Sequence, residues 1–345
     1  MKKITISILI LISILAFLSF PYLLKDGAKN KLEAIGYSKE QQNEIVKLSK
    51  ESITYLEHSS YQESILSFLK NKEFQEEHLK DYLNWSIPEM KVEDIIFVVN
   101  HNYIHESYNE ATLSLMKEPY YIDQNLERYE TLQNTNQTMD PKEVITTINS
   151  NVDLGFYQNT EQTDTTKGTL MIVNKHYTLG DYVPPKLVAI DASYGTGYLE
   201  EETNSAINKM FTEAAKQQLK FKINSPYRSY ATQVSLYNRY VAKDGIKLAD
   251  TYSARAGFSE HQTGLAADIT SKNTDFGSFE QTNEFQWLQE HAHEYGFILR
   301  YPKGQEPITG YMYESWHYRY VGIEAATYIK KHQLTFEEYY AYFVK

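Results

Sequence analysis

Two short blocks in the last third of the chain combine residue types that can bind a metal ion. They read SEHQTGLAAD at 259–268 and ESWH at 314–317. Between them the blocks supply two imidazoles, from His261 and His317, and the carboxylate of Asp268. Two histidines and one carboxylate are a ligand set that suits Zn²⁺ and leaves a fourth coordination position for water. The blocks therefore predict a zinc site.

The carboxylate of Glu314 adds the second requirement of a hydrolase. Zinc lowers the pKa of a bound water to about 7, which makes a nucleophile available at neutral pH. A nearby glutamate that is not itself a ligand can take the proton and later pass it to a leaving amine. We assign that role to Glu314, so the predicted chemistry is metal-assisted hydrolysis.

The spacing within the first block requires a bend in the backbone. His261 and Asp268 are seven residues apart and would point to opposite faces of one regular strand. Both reach one metal only if the chain turns between them, and Gly264 permits such a turn. Residues 265–269 then read as a strand that directs Asp268 inward.

The spacing within the second block requires a turn. Glu314 and His317 are three residues apart, which makes them neighbours on a helical turn but not on a strand. A turn-like conformation would let His317 bind the metal while Glu314 faces the water.

The two blocks resemble the Ser-x-His-x-x-Gly-x-Ala-x-Asp and Glu-x-Trp-His signatures of the VanY-type zinc D-alanyl-D-alanine carboxypeptidases. This family belongs to a superfamily that includes lysostaphin-type peptidases and the hedgehog signalling domain. Upstream, YRSYATQ at 227–233 is similar to the family's Tyr-Arg-Ser-x-x-x-Gln element. The resemblance extends over residues 140–323, about half of the chain. Pro226 departs from the family pattern, in which a small residue commonly precedes the Tyr-Arg pair.

The resemblance implies roles for eight residues. The implied zinc ligands are His261, Asp268 and His317, the implied catalytic residues are Glu314 and Arg228, and the implied substrate-binding residues are Arg228, Gln233, Ser259 and Trp316. A guanidinium such as that of Arg228 can bind a terminal carboxylate bidentately. It can equally stabilise the oxyanion of a tetrahedral intermediate. The sequence leaves both roles open.

The implied activity is removal of the terminal D-alanine from the pentapeptide stem of peptidoglycan. One alternative is an L,D-carboxypeptidase that acts on the tetrapeptide stem. Another is a cell-wall-binding module that has lost catalysis, although the presence of Glu314 argues against it.

These residues need a scaffold, and the pattern predicts an α+β fold with a small antiparallel sheet and flanking helices. Apolar runs at 170–173, 221–223 and 297–299 are typical of strands, and they mix with helical segments without regular βαβ alternation. Thr203 is the predicted cap of a helix that begins there.

A mainly helical region precedes this domain. It spans residues 28–135 and includes one predicted short strand at 92–99. A polar tract at 131–140, which overlaps its end, is interpreted as the linker to the next domain. The zinc carboxypeptidase domain is expected to span 140–345.

The amino terminus contains an uncharged apolar run at 4–24, long enough as a helix to span about 31 Å of hydrocarbon. Because no small-x-small cleavage site follows, residues 1–27 are predicted to be a membrane anchor rather than a cleaved signal. The expected location is the cell membrane, with one span and the catalytic domain outside, or secretion if the segment is cleaved.

Composition narrows the remaining function classes. The 345 residues include 34 Lys and Arg against 45 Asp and Glu, so the net charge is −11. This acidic balance argues against a nucleic-acid partner, because phosphate binding requires a basic surface. The sequence contains no cysteine. A zinc site in this protein must be built from histidine and carboxylate. The oligomeric state is not predicted by the sequence.

Overall fold

The computed structural model describes residues 25–85, 90–105 and 108–345. The chain divides into two compact units, and the boundary between them in the sequence lies between Met116 and Lys117. We call them unit 1 and unit 2. The apolar run at 4–24 lies outside the described residues, so the predicted membrane anchor stays a prediction. In the described ranges, no helix is both long and apolar enough to cross a bilayer.

Unit 1 is helical, as the sequence predicts. Within the described residues of unit 1, a helical segment at 25–35 is followed by six α-helices: α1 Lys39–Ile45, α2 Lys50–Glu57, α3 Ile65–Lys70, α4 Leu79–Asn84, α5 Val92–Asn100 and α6 Glu110–Met116. A capping box begins α1, because Ser38 and Gln41 each accept a hydrogen bond from the other's backbone N–H. The buried side chains form one core that includes Leu32, Phe68 and Tyr82.

The predicted strand at 92–99 is wrong, because these residues form α5. Ile95, Ile96 and Val99 are buried in the core of unit 1. Their spacing places them on one side of a helix, and packing of that side outweighs the preference of β-branched residues for strands.

Unit 2 contains the predicted antiparallel sheet with flanking helices. Four strands form this sheet: β5 Phe221–Ser225, β6 Ala266–Ser271, β7 Phe297–Leu299 and β8 His317–Tyr320. They lie in the order β5-β6-β8-β7, and every neighbouring pair is antiparallel. Two small two-stranded sheets are formed by β1 Glu161–Gln162 with β2 Tyr177–Thr178, and by β3 Leu187–Ala189 with β4 Tyr198–Glu200.

Nine helices of unit 2 surround these sheets: α7 Leu126–Thr135, α8 Pro141–Asn149, α9 Glu201–Ala215, α10 Tyr230–Asp244, α11 Ile246–Tyr252, α12 Asn283–His291, α13 Glu306–Thr309, α14 Ile323–His332 and α15 Phe336–Phe343. Helix α9 packs Ile207, Met210 and Phe211 into the main core. Its N-cap is Glu200, whose carboxylate accepts hydrogen bonds from two backbone N–H groups of the first turn. Thr203 is therefore inside the helix and is not its cap.

The predicted strand at 170–173 is also wrong, although residues 171–173 are buried. The carbonyl of Met171 accepts a hydrogen bond from the guanidinium of Arg319, and the carbonyl of Ile172 accepts one from the hydroxyl of Thr163. Side chains thus satisfy the buried backbone here, where a strand would use a neighbouring strand.

The polar tract at 131–140 is not a linker in the structure. It includes the end of α7 and the residue Asp140, which caps α8. Tyr129 of α7 is fully buried, and its hydroxyl donates to the side chain of Asn149 at 2.5 Å. These helices belong to unit 2, so the boundary between the units lies at 116/117 and not at 135/140.

Candidate functional site

The central strand pair brings two of the predicted zinc ligands together. Asp268 of β6 lies directly opposite His317 of β8, with Oδ1 and Nδ1 3.0 Å apart. His261 comes from a 3-10 turn at Glu260–Thr263, and its Nε2 lies 3.4 Å from Oδ2 of Asp268. One ligand atom of each of the three residues lies within 4.8 Å of the others, and all three side chains are buried. We call this cluster, which could hold a metal ion, the metal centre.

The backbone conformations required by the two blocks are present. Gly264 ends the 3-10 turn with a φ of +71°, in the left-handed region that favours glycine. The chain then enters β6 with Asp268 on the side of His261, as expected. Before β8, the backbone N–H of His317 donates to the carbonyl of Glu314 in a turn, and Oε2 of Glu314 lies 3.8 Å from Nδ1 of His317.

Each histidine of the metal centre has one ring nitrogen directed toward a fixed acceptor outside the cluster. Nδ1 of His261 lies 2.8 Å from the carbonyl of Pro226, and Nε2 of His317 lies 3.3 Å from Oε2 of Glu260. A carbonyl and a carboxylate can only accept, so these two nitrogens donate. The opposite nitrogens face Asp268. Because the Asp268 carboxylate also only accepts, Nδ1 of His317 carries a proton there and can bind a metal once that proton has left. The donor set therefore fits a divalent cation such as Zn²⁺. Pro226, which departs from the family pattern, contacts His261 through its backbone oxygen.

Glu260 is a functional candidate that the sequence reasoning missed. It is fully buried, and its Oε1 accepts hydrogen bonds from Arg300 at 2.8 Å and from Arg319 at 2.9 Å. Glu260 lies inside the first block, but at a position that the family signature leaves open. In the sequence, its two arginine partners are marked only by their positions. Arg300 directly follows the apolar run at 297–299, and Arg319 lies within 317–320.

Burial and hydrogen bonding shift the pKa values of the centre. Burial raises the pKa of Glu314 to about 8, and the charge of Asp268 adds to the effect. Burial alone would lower the pKa of His317, but its hydrogen bonds to Asp268 and Glu260 raise the pKa to about 9. Burial also opposes ionisation of Asp268, yet the neighbouring His261 and His317 lower its pKa overall. Glu314 is thus suited to hold a proton near neutral pH.

A cavity of about 430 Å³ opens over the metal centre. Arg228, Ser259, Glu314 and Trp316 line it, together with the three metal-centre residues. Phe276 stacks edge-on against Trp316, with ring centroids 5.0 Å apart. The structure therefore brings seven of the eight predicted site residues to one cavity.

Gln233 lies behind Arg228. Its Oε1 accepts a hydrogen bond from Nη1 of Arg228 at 2.7 Å, and its Nε2 donates to the carbonyl of Ala254 at 2.6 Å. Nη2 of Arg228 donates to the hydroxyl of Ser225 at 2.6 Å. Gln233 is almost fully buried. The contacts of Gln233 are those of a residue that positions Arg228, which differs from the substrate contact implied by the resemblance.

The chain is similar to several known proteins. The sequence profile of the VanY family, described as D-alanyl-D-alanine carboxypeptidase, matches residues 196–323. Over 164 residues the chain is 31% identical to the bifunctional D-Ala-D-Ala dipeptidase and D-Ala-D-Ala carboxypeptidase VanXYC of Enterococcus gallinarum, covering 46% of this chain and 86% of that protein. The chain belongs to the VanY family. All eight predicted site residues lie within the matched range.

This VanY-family chain is also similar to two other carboxypeptidases. The putative carboxypeptidase YodJ of Bacillus subtilis (strain 168) is 41% identical over 170 residues, which cover 47% of this chain and 62% of YodJ. The solved structure of the LdcB LD-carboxypeptidase is 38% identical, with a TM-score of 0.50, and covers 53% of this chain and 90% of that one. The chain spans only 45% to 62% of the length of several curated relatives that it matches.

Proposed function

We propose that this protein is a zinc-dependent carboxypeptidase that removes a terminal D-alanine from peptidoglycan stem peptides. The observation on which the proposal rests is the metal centre, in which the donor atoms of His261, Asp268 and His317 lie within 4.8 Å of one another. Glu314 and Arg228 line the same cavity. Membership of the VanY family supports this choice among the hydrolytic reactions that such a centre can perform.

The chain offers three ligands for the metal. These are Nε2 of His261, Nδ1 of His317 and the carboxylate of Asp268, each already directed toward the others. When bound, Zn²⁺ supplies the Lewis acid that polarises a carbonyl and activates a water molecule. Zinc is our choice over other divalent ions because neutral imidazole with one carboxylate is a typical ligand set of catalytic zinc.

Glu314 is the proposed general base and acid. Its carboxylate lies beside the metal centre, 3.8 Å from the His317 ring, and it is not one of the three clustered donors. Its pKa of about 8 lies near a neutral operating pH. A group with such a pKa can accept a proton from the nucleophile and return it to the leaving amine. The amino group of the departing D-alanine would receive that proton.

Arg228 is the proposed partner of the negative charge on the substrate. Two of its nitrogens are held in place by Gln233 and Ser225. Because a guanidinium has five N–H donors, this arrangement leaves donors for the cavity. A terminal carboxylate is the natural ligand for such a fixed fork, and the oxyanion of the transition state is the alternative partner.

We favour the pentapeptide stem as the substrate, which makes the reaction a D,D-cleavage. The family description and the VanXYC relative support this choice. The likeness to the LdcB structure favours a second candidate, an L,D-cleavage of the tetrapeptide stem. Glu314 in place beside the metal centre argues against a module that only binds the cell wall.

One assay separates these possibilities. Purified full-length protein is incubated with zinc and with muropeptides that end in pentapeptide or in tetrapeptide stems, and the products are weighed by mass spectrometry. We expect loss of one alanine from the pentapeptide, abolished by a chelator and restored by added zinc. Loss from the tetrapeptide alone would show the L,D-reaction. Loss from neither, with zinc bound, would contradict a catalytic role.

We also propose that residues 4–24 anchor the protein in the cell membrane and that unit 2 lies outside, where stem peptides occur. Fractionation of cells that make the full-length chain tests this proposal. The protein should sediment with membranes, and protease added to intact protoplasts should digest unit 2. Protection from the protease would contradict the proposed sidedness, and recovery in the culture medium would indicate cleavage.

A further inference from the structure

Glu260 connects the metal centre to a buried ion network. Its Oε2 accepts from Nε2 of His317, while its Oε1 accepts from Nε of Arg300 and Nη1 of Arg319. All of these side chains are buried. The carboxylate of Glu260 therefore has little freedom to move, and the His317 ring takes its orientation from that carboxylate.

Arg300 links Glu260 to the C-terminal helix α15. Its Nε donates to Glu260, and its two Nη atoms donate to the two carboxylate oxygens of Glu337 at 2.9 and 2.6 Å. This second contact is bidentate, the strongest and most directional form of an arginine–carboxylate pair. Asn174 adds a further hydrogen bond to Oε1 of Glu337 at 3.0 Å. The guanidinium of Arg300 is thus held at both of its edges.

Each charged group of the buried network compensates the charge of the others. Two carboxylates and two guanidiniums, from Glu260, Glu337, Arg300 and Arg319, lie together with almost no exposure to water. Loss of one buried charge leaves its partner uncompensated, and the remaining groups must rearrange. If the charge of Glu337 is removed, we expect Arg300 to shift toward Glu260, the carboxylate that it still contacts.

We propose that Glu337, on the C-terminal helix, is a positioning residue of the metal centre. Glu337 holds Arg300, Arg300 holds Glu260, and Glu260 fixes the His317 ring so that Nδ1 faces the other ligands. Glu337 lies beyond residues 196–323, the part of the chain matched by the VanY profile. The inference rests on the metal site of the proposed function, and it does not depend on which stem peptide is cleaved.

The test measures zinc affinity directly, by competition of the full-length protein with a zinc-binding dye. Glu337→Gln keeps the size of the side chain but removes its charge. Outer partners of metal ligands typically change metal affinity by 10- to 100-fold, so we expect a loss of about tenfold for this more distant residue. Glu337→Asp, which keeps the charge, should lose less. The Asp variant also allows the test to proceed if the Gln variant does not fold.

A double-mutant cycle separates positioning from general loosening. If Glu337 acts through Glu260, the Glu337→Gln change should have little further effect, within about twofold, in a Glu260→Gln background. Equal effects in both backgrounds would overturn the proposal. So would zinc affinity of Glu337→Gln within about twofold of the wild type.

The neighbouring Glu338 is the matched control. It forms the capping box of the same helix with Thr335 and is not part of the ion network. Glu338→Ala should destabilise α15, seen as a lower melting temperature, with zinc affinity unchanged. An equal loss of affinity in this variant would show that helix stability alone matters. Failure of the wild type to bind zinc would instead contradict the proposed function itself.

Discussion

The chemistry of the site depends on which nitrogen of each imidazole faces Asp268. The Pro226 carbonyl and the Glu260 carboxylate each engage one ring nitrogen, and this directs Nε2 of His261 and Nδ1 of His317 toward Asp268, where the proposed zinc would be held. The two ligands thus use different ring atoms. The three donors meet without rearrangement because their hydrogen-bond acceptors are themselves fixed by buried backbone or by ion pairs.

Replacement of Glu314 should separate catalysis from metal binding. Glu314→Gln keeps the shape of the side chain but cannot accept a proton. General acid–base catalysis typically contributes 10²- to 10⁴-fold, so we expect kcat to fall by about that factor. Zinc content should remain near that of the wild type. Steady-state kinetics and metal analysis of the same preparation provide the measurement, with the exposed Glu324→Gln as control. Turnover that survives the Glu314 change would contradict the assigned base.

Zinc affinity should increase with pH. His317 has a pKa raised to about 9, so below that pH its ring must lose a proton before it can bind. The lowered pKa of Asp268 favours its ionised form, and the lowered pKa of His261 favours its neutral form. Binding therefore releases at least one proton, that of His317.

The apparent affinity should rise at least about tenfold per pH unit up to about pH 9, because at least one proton competes with the metal. Dye competition between pH 6 and 9 in non-coordinating buffers measures this slope. Affinity that does not vary with pH would show that His317 is neutral before zinc binds.

At the scale of secondary-structure elements, an antiparallel strand pair and one glycine turn assemble the ligands. The register of β6 and β8 sets Asp268 against His317, while the turn at Gly264 returns the chain so that His261 approaches the same point. A side chain at 264 would meet the backbone nitrogen of Glu200 at 2.9 Å and the side chain of Leu187 at 3.0 Å. The turn therefore needs glycine both for its conformation and for its space.

Gly264→Ala tests this requirement. The left-handed conformation costs a non-glycine residue about 1–2 kcal/mol, and the contact with Glu200 adds to that cost. We expect a lower melting temperature and weaker zinc binding. Gly304→Ala is the control, because Gly304 also has a positive φ, +84°, but nothing lies within 4 Å of the added methyl group. If both variants lose the same stability and both keep their zinc affinity, the close packing at 264 has no role.

At the scale of the whole molecule, each unit has its own core. The core of unit 1 is built from residues of its helices, while two buried clusters of unit 2 include the sheet and the C-terminal helices. Tyr120 stacks on Tyr342 of α15 with ring centroids 3.9 Å apart. The residues just after the unit boundary therefore belong structurally to unit 2.

Truncation at two positions tests that boundary. A fragment of residues 117–345 should fold cooperatively and bind zinc. A fragment of residues 140–345 lacks Tyr120 and the buried Tyr129, and loss of a large buried aromatic side chain typically costs about 3–5 kcal/mol. It should therefore melt at a clearly lower temperature or aggregate. Thermal unfolding followed by circular dichroism gives the comparison. Equal stability of the two fragments would place the boundary at the polar tract after all.

Local patterns account for the parts of the fold that were predicted. Residue types a few positions apart are enough to predict the strands at 221–223 and 297–299, the bend at Gly264 and the turn before His317. The helix at 92–100 and the irregular segment at 170–173 were mispredicted, because distant packing and distant side chains decide them. Arg319, for example, satisfies the carbonyl of Met171 from 148 residues away.

Residue types and spacings alone predict the cluster of His261, Asp268 and His317, the proposed base Glu314 and the exclusion of a thiolate site. They do so because ligand chemistry is a property of the side chains, and the turns that join them are local. Folding in three dimensions decides the rest, namely the ring orientations, the position of Gln233 behind Arg228, and the network from Glu260 to Glu337. Those features depend on buried charges that are distant in sequence, and burial is settled only when the core packs around them.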